Sequence, residues 1–345
     1  MSARPLGVAL VGYGYWGPNL LRNYMELPDA DVKWVCDLHP EQLAKVGARF
    51  PNIQLSEDCA EVLADPAVDA VLVATPISTH HAVAKAALEA GKHVFVEKPM
   101  TSDPGDAREL VDLAAARGLT LMVGHTFVFS PPVRKVKELI EAGTLGDIYF
   151  ITTQRVNLGL HQKDVSVVWD LAPHDLSILY YWLGEHACAV SVYGRGCIVP
   201  EIPDVAFINL KFPGGVVAEI QVSWLSPVKL RRTIVVGSKK MLVYDDTENV
   251  EKVKIFDHGV DFEDPSDFAQ FQLSYRTGDI VAPKISGAEP LHLEAQHFVQ
   301  SIADRRPPIT GGEQGLQVVS SLEAAEASLR AGGAEMPIDL RSSTA

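Results

Sequence analysis

Apolar residues in the first third of the chain fall into short runs with at most one polar residue each, at 6–11, 32–36, 69–74, 93–96 and 119–123, with a shorter one near Ile53. Runs of this length mark strands buried on both faces. Between them apolar positions recur at helical spacing, from Gly17 to about Leu27, over 41–49, near Ala60, over 82–90 and from Pro104 to Arg117. Six strands alternating with helices predict an α/β domain with a doubly wound parallel sheet. Gly124-His125 closes the array, so residues 1–124 are expected to form one domain and 125–345 a second.

The second half has another rhythm. A helix is expected over 132–142, a strand over 148–157, and an irregular stretch over 158–165. From Ala187 most segments alternate with period two: Ala206, Ile208, Leu210 and Phe212 share one face, and Val205, Phe207, Asn209 and Lys211 the other. Pro213-Gly-Gly turns this strand into 216–225, and Gly237-Ser-Lys-Lys turns 233–236 into 241–244. This is an α+β domain with a large, open, mainly antiparallel sheet. Its outer face needs cover, from helices expected at 291–303 and 312–331 or from a second copy of the chain.

Gly12-Tyr13-Gly14-Tyr15-Trp16-Gly17 lies between the first strand and the first helix. There a first glycine permits the tight turn, a second lets a pyrophosphate approach the backbone, and a third lets strand and helix pack closely. Pro18 fits the first helical turn. The next strand ends at Asp37, twenty positions beyond Gly17. An acid at that place accepts hydrogen bonds from the adenosine ribose and repels a 2′-phosphate, so NAD is expected over NADP. The bland alternative for Asp37 is a helix cap. Thr75 and Pro76 end the fourth strand beside the expected cofactor, with Ser78 or Thr79 able to cap the helix that follows. His80 is placed at the same edge, and His80-His81, with no carboxylate nearby in sequence, gives no metal site.

Phe95-Val-Glu97-Lys98-Pro99 follows the fifth strand, where ligands of open parallel sheets bind. An ammonium at Lys98 can polarise an oxygen. Further on, Trp169-Asp170-Leu-Ala-Pro173-His174 has helical spacing, and Pro173 is tolerated in a first turn, so a helix is expected to start near Asp170. Asp170 and His174 then share a face, and the carboxylate can orient an imidazole that removes a hydroxyl proton. A capping aspartate and an interior histidine are the structural alternative.

Charge narrows the partners. Thirty Lys and Arg against forty-four Asp and Glu give a net charge of −14, with no polybasic run, which argues against a nucleic-acid surface. Four cysteines without CxxC spacing read as small apolar residues of a reducing compartment. No apolar stretch reaches membrane-spanning length, and the first strand follows the N-terminus too closely for a signal peptide, so a cytoplasmic location without membrane contact is expected.

The glycine loop, Asp37, Glu97-Lys98-Pro99 and the Asp170…His174 pair, in this order, resemble the Gfo/Idh/MocA family of sugar and cyclitol oxidoreductases over nearly the whole chain. The resemblance implies a Rossmann domain followed by an open-sheet domain, and hydride transfer between a ring carbinol and a nicotinamide. It makes Lys98 the residue that binds and polarises the reacting oxygen, His174 the acid/base and Asp170 its partner. Gly124-His125-Thr126-Phe127, Gln154-Arg155-Val156-Asn157-Leu158-Gly159 and Val236-Gly237-Ser-Lys-Lys-Met241 are similar to the branch acting on nucleotide sugars, which implies oxidation of a 3-hydroxyl. Phe127-Val128-Phe129 lacks an arginine common in inositol dehydrogenases, and Ala172 stands where glycine is usual. On this reading Arg155 and Arg231, with Lys163, Lys229 and Arg232 as further candidates, bind phosphate or carboxylate, and His125, Asn157, His161 and Trp169 line the sugar pocket. A homodimer or homotetramer is expected from the open sheet.

Overall fold

The structure is a computed structural model that describes residues 4–159, 161, 165–263 and 272–340. It contains two compact units, one of Met1–Phe129, Ala288–Ser320 and Leu340–Ala345, the other of Ser130–Gly287 and Ser321–Asp339.

The first unit holds six parallel strands: β1 (Leu6–Val11), β2 (Ala30–Cys36), β3 (Gln54–Ser56), β4 (Ala70–Val73), β5 (His93–Glu97) and β6 (Leu121–Gly124), in the order β3-β2-β1-β4-β5-β6. This is the doubly wound parallel sheet that the apolar runs predict. Val8 to Leu10, Val71 to Val73 and Val94 to Val96 are all at most 1% exposed, as strands covered on both faces require. The helices are α1 (Gly17–Met25), α2 (Pro40–Arg49), α3 (Cys59–Ala64), α4 (Ile77–Glu89) and α5 (Pro104–Arg117). Helix α4 starts five residues before the expected 82, directly after Pro76, because the polar Ser78, Thr79 and His80 form its first turn.

Later chain completes this unit. Helix α8 (Pro290–Asp304) packs on α1 and on the 3-10 turn Thr126–Phe129, with Phe298 edge-on to Phe95 at 5.8 Å between ring centroids. Thr310 exchanges backbone and side-chain bonds with Val123, closing the edge at β6. The sequence offers α8 as cover for the second sheet; instead it belongs to the first. An amphipathic pattern fixes how much of a helix is buried, not which sheet buries it.

The second unit is a nine-stranded sheet. Its strands are β7 (Ile148–Val156), β8 (Ala189–Arg195), β9 (Val205–Lys211), β10 (Val217–Ser223), β11 (Leu230–Gly237), β12 (Met241–Asp245), β13 (Val253–Glu263), β14 (Gln272–Val281) and β15 (Met336–Pro337). The order is β14-β13-β12-β11-β7-β10-β9-β8-β15, antiparallel except for β7 with β10. Helices α6 (Pro131–Glu141), α7 (Val167–Leu183) and α9 (Gly312–Arg330) complete the helices. Helix α7 packs on β7, β9 and β10, and in the second unit's part of α9, Ser321 and Ser328 bond to Tyr180 and Val192. The other face of the sheet leaves Phe150, Tyr193, Phe207 and Val217 between 40% and 60% exposed in the single chain. The long hairpin of β13 and β14 carries no signal strong enough to predict it from the sequence.

Candidate active site

In the first unit the glycine loop has the shape a dinucleotide needs. Gly12 has φ +98°, and a Cβ on it would lie 2.6 Å from the Ala74 carbonyl oxygen. On Gly17 a Cβ would fall 2.4 Å from the Gly12 oxygen, whereas one on Gly14 meets nothing within 4 Å. The outer glycines are thus required by packing, and the middle one faces open space where a phosphate can approach. No side chain caps α1, while Asp58 caps α3 and Asp103 caps α5. The uncapped amides of α1 are a ready anion site. Tyr15 is 95% exposed, and Trp16 occupies the N-cap position.

Asp37 stands at the end of β2. Its Oδ2 accepts the Tyr13 amide at 2.7 Å, and its Oδ1 accepts the His39 amide at 2.9 Å with the His39 ring at 3.0 Å. Burial raises its pKa, but these bonds outweigh it and hold the carboxylate below its ordinary range. Asp37 is therefore an ionised acceptor locked to the glycine loop.

The neighbouring loops meet through His80. Its Nδ1 lies 2.9 Å from the Pro99 oxygen and its Nε2 2.8 Å from the Thr75 oxygen, with the ring 2% exposed. Burial keeps its pKa below the usual histidine range, so the neutral ring donates to one carbonyl. His80, expected at the cofactor edge, thus lies buried between the Thr75-Pro76 loop and the cis Lys98-Pro99 bond. Thr79 Oγ1 bonds Thr75 Oγ1 and the Pro76 oxygen. His81 does have carboxylates nearby in space, Glu109 at 2.6 Å and Asp106 at 3.7 Å, but Lys85 shares Glu109.

Lys98 is half-buried, and its amide reaches Glu97 Oε2 at 3.3 Å. His125 is 1% exposed, and neither ring nitrogen meets a hydrogen-bond partner among the described residues. Burial, with the Lys98 charge, pushes its pKa down to about 3, so the ring is neutral.

In the second unit, α7 begins at Val167, three residues before the expected Asp170, and Pro173 lies inside it. Ser166 takes the N-cap position, and the Asp170 amide bonds its carbonyl at 3.2 Å. Asp170 therefore sits in the first turn, where the helix dipole favours an anion. Its Oδ2 accepts the Trp224 indole at 2.9 Å. Trp224 also lies 5.3 Å, centroid to centroid, from His161, whose Nε2 is 3.6 Å from the buried Asp204. Trp224 thus links two residues expected at the site, and nothing in its sequence context announces it. His174, Trp169 and Asn157 are half-buried.

Both arginines expected to bind an external anion lie against carboxylates of the protein itself. Arg155 is 5% exposed and gives Nε and Nη2 to Asp175 at 2.7 and 3.0 Å. Burial alone would lower its pKa; Asp175 reverses that and holds the charge. Thr153 adds a 3.1 Å bond to the same carboxylate. Arg231, opposite Arg155 across β7 and β11, faces Asp246 at 3.5 Å, and Lys252 reaches Asp246 as well. Each arginine already has its counter-ion. Arg232 is exposed on the opposite face, Lys229 is exposed, and Lys163 lies outside the described residues.

Among the described residues no helix is long and apolar enough to cross a membrane. Residues 6–125 match the model of an oxidoreductase family with an NAD-binding Rossmann fold, and 133–243 match the GFO/IDH/MocA C-terminal domain. The scyllo-inositol 2-dehydrogenase (NAD+) of Bacillus subtilis is 27% identical over 318 residues, 88% of this chain and 86% of the relative. The UDP-N-acetylglucosamine 3-dehydrogenase of Acidithiobacillus ferrooxidans is 25% identical over 327 residues, 90% of this chain and 93% of the relative. A solved structure of the latter enzyme shares the fold, with a TM-score of 0.81 at 24% identity, covering 96% of this chain and 99% of its own. With both of its units matched by models of one family, the chain belongs to the Gfo/Idh/MocA family and is an NAD(P)-dependent oxidoreductase.

Proposed function

We propose that the protein is an NAD-dependent dehydrogenase that oxidises a ring hydroxyl of a sugar, its substrate a nucleotide-linked sugar oxidised at the 3-hydroxyl. The observation that carries the cofactor half is Asp37, held ionised between Tyr13 and His39. A fixed carboxylate accepts both ribose hydroxyls and disfavours a 2′-phosphate. The bound nicotinamide would accept the hydride. On this reading Lys98 binds and polarises the carbinol oxygen, and His174, with Asp170 beside it in α7, takes the proton. Support for a nucleotide-linked substrate is the similarity to the Acidithiobacillus enzyme across 90% of the chain.

A second reading, a free sugar or a cyclitol, is favoured by the Arg155–Asp175 pair, which leaves that arginine committed inside the protein. The Bacillus inositol dehydrogenase is similar over a comparable span.

NADH formation with UDP-N-acetylglucosamine, its uronate, glucose 6-phosphate, glucose and inositol decides between them. Turnover confined to nucleotide sugars is expected; turnover with free polyols alone would discard the nucleotide site. With the active substrate, Lys98→Ala and His174→Ala are each expected to lower kcat by about 10²–10⁴-fold with NAD affinity nearly unchanged. Equal loss of NAD binding would remove both residues from the chemistry.

A further inference from the structure

Behind Lys98, inside the first unit, lies a buried polar cluster. Glu294 on α8 is 0% exposed; its Oε2 accepts the Thr126 hydroxyl at 2.7 Å, and its Oε1 meets no partner among the described residues. Glu97 Oε1 is buried and equally unpartnered, and so is the hydroxyl of Tyr24 on α1. Gly124 gives Glu97 its place: a Cβ there would lie 3.1 Å from the carboxyl carbon and from both oxygens.

A carboxylate cut off from water must be paired, hydrogen-bonded or neutral. Here two carboxyls and a phenol share one dry region. Burial lifts Glu97 to about 7, opposed by the charge and amide of Lys98 and by the Trp16 indole. Burial and then the charge of Glu97 raise Glu294 well above the carboxylate range, with only Thr126 opposing. Tyr24 is raised by burial and by both acids. Lys98 is the cation acting on Glu97, and His125 is neutral. One positive charge can balance one carboxylate, and a second ionised carboxylate would find no counter-ion.

We propose that Glu294 is a positioning residue for Lys98: a neutral carboxylic acid that keeps its own proton inside the cluster, so that Glu97 carries the single negative charge that Lys98 balances. The proton spares Glu294 an unpaired buried charge, and Glu97, bonded to the Lys98 amide, in turn fixes the backbone from which Lys98 projects. This rests on the reading of Lys98 as the residue that polarises the substrate oxygen.

Infrared difference spectra and melting curves of the full chain test the proton without any substrate. Glu294→Gln is expected to remove a protonated-carboxyl carbonyl stretch present in the parent. An acid whose folded pKa is raised binds more protons folded than unfolded, so its contribution to stability falls as pH rises above the unfolded value. Glutamine lacks that loss, so Tm of Glu294→Gln relative to the parent is expected to rise steadily from about pH 5 to about pH 8. A flat difference with no missing stretch means an ionised Glu294 and overturns the proposal. With the active substrate, Glu294→Gln is expected to keep kcat within about three-fold, and Glu294→Leu to lower it about ten-fold at unchanged NAD affinity. Equal losses in both variants would also overturn it. If no tested substrate turns over, the infrared and melting results still decide the proton, separately from the function.

Discussion

Glu97 stands directly before Lys98, and Asp175 directly after His174. In the sequence they look alike: an acid flanking a candidate catalytic residue. The structure builds them in opposite ways. Asp175 accepts three hydrogen bonds, two from Arg155 and one from Thr153, in a buried pair of opposite charges. Glu97 has a 3.3 Å bond to an amide, one orphan oxygen and the Lys98 charge beside it, and its own charge acts on Glu294. The first is a strut fixed by three hydrogen bonds. The second can change its proton count near neutrality, which suits a group placed behind a lysine proposed to polarise the substrate oxygen.

This contrast can be broken most severely at Asp175. Asp175→Ala would remove the bidentate counter-ion of a buried guanidinium and is expected to cost about 3–5 kcal/mol, read as a lowered denaturant midpoint. A loss under about 1 kcal/mol would show that Arg155 finds other solvation and that the pair is no strut. A smaller effect is expected at Trp224, where Trp224→Phe removes a donor from Asp170. About 1–2 kcal/mol of stability is expected to go, and kcat with it by about ten-fold if Asp170 orients His174. An unchanged pH–rate profile with unchanged kcat would detach Trp224 from the chemistry. The smallest effect is expected at the exposed end of α8. Arg22 and Glu289 pair at 2.5 Å but are 36% and 44% exposed, so Glu289→Gln should cost at most about 1 kcal/mol, and less at high salt. A larger loss would mean that α8 is held at its N-terminus, and would complicate any reading of Glu294.

Much of the first unit was legible because its signals are local. The glycine spacing, the acid at the end of β2 and the buried runs each state a backbone requirement within a few residues, and the structure shows Gly12 and Gly17 without room for a Cβ. What the sequence hid is what folding brings together. Arg155 and Asp175 are 20 positions apart, Asp170 and Trp224 are 54 apart, and Thr126 and Glu294 are 168 apart. An arginine in a plausible segment reads as a ligand for an external anion until its internal partner is seen. Pro173 misled in another way. Proline is tolerated at the start of a helix, so it pointed to a start near Asp170, yet Ser166 and Val167 start α7 earlier and the helix absorbs the proline.

The interrupted order of the first unit has a consequence for biosynthesis. Its six strands have been synthesised once residue 129 is made, but the helix bearing Phe298 and Glu294, and the Thr310 segment that closes β6, belong to a stretch that begins at Ala288. At about 5–20 residues per second, the intervening 288 − 129 = 159 residues take on the order of 10–30 s to translate. Through that interval the nascent sheet carries an uncovered Phe95 and an unclosed strand edge, the surfaces that chaperones recognise, while eight of the second sheet's nine strands are being synthesised.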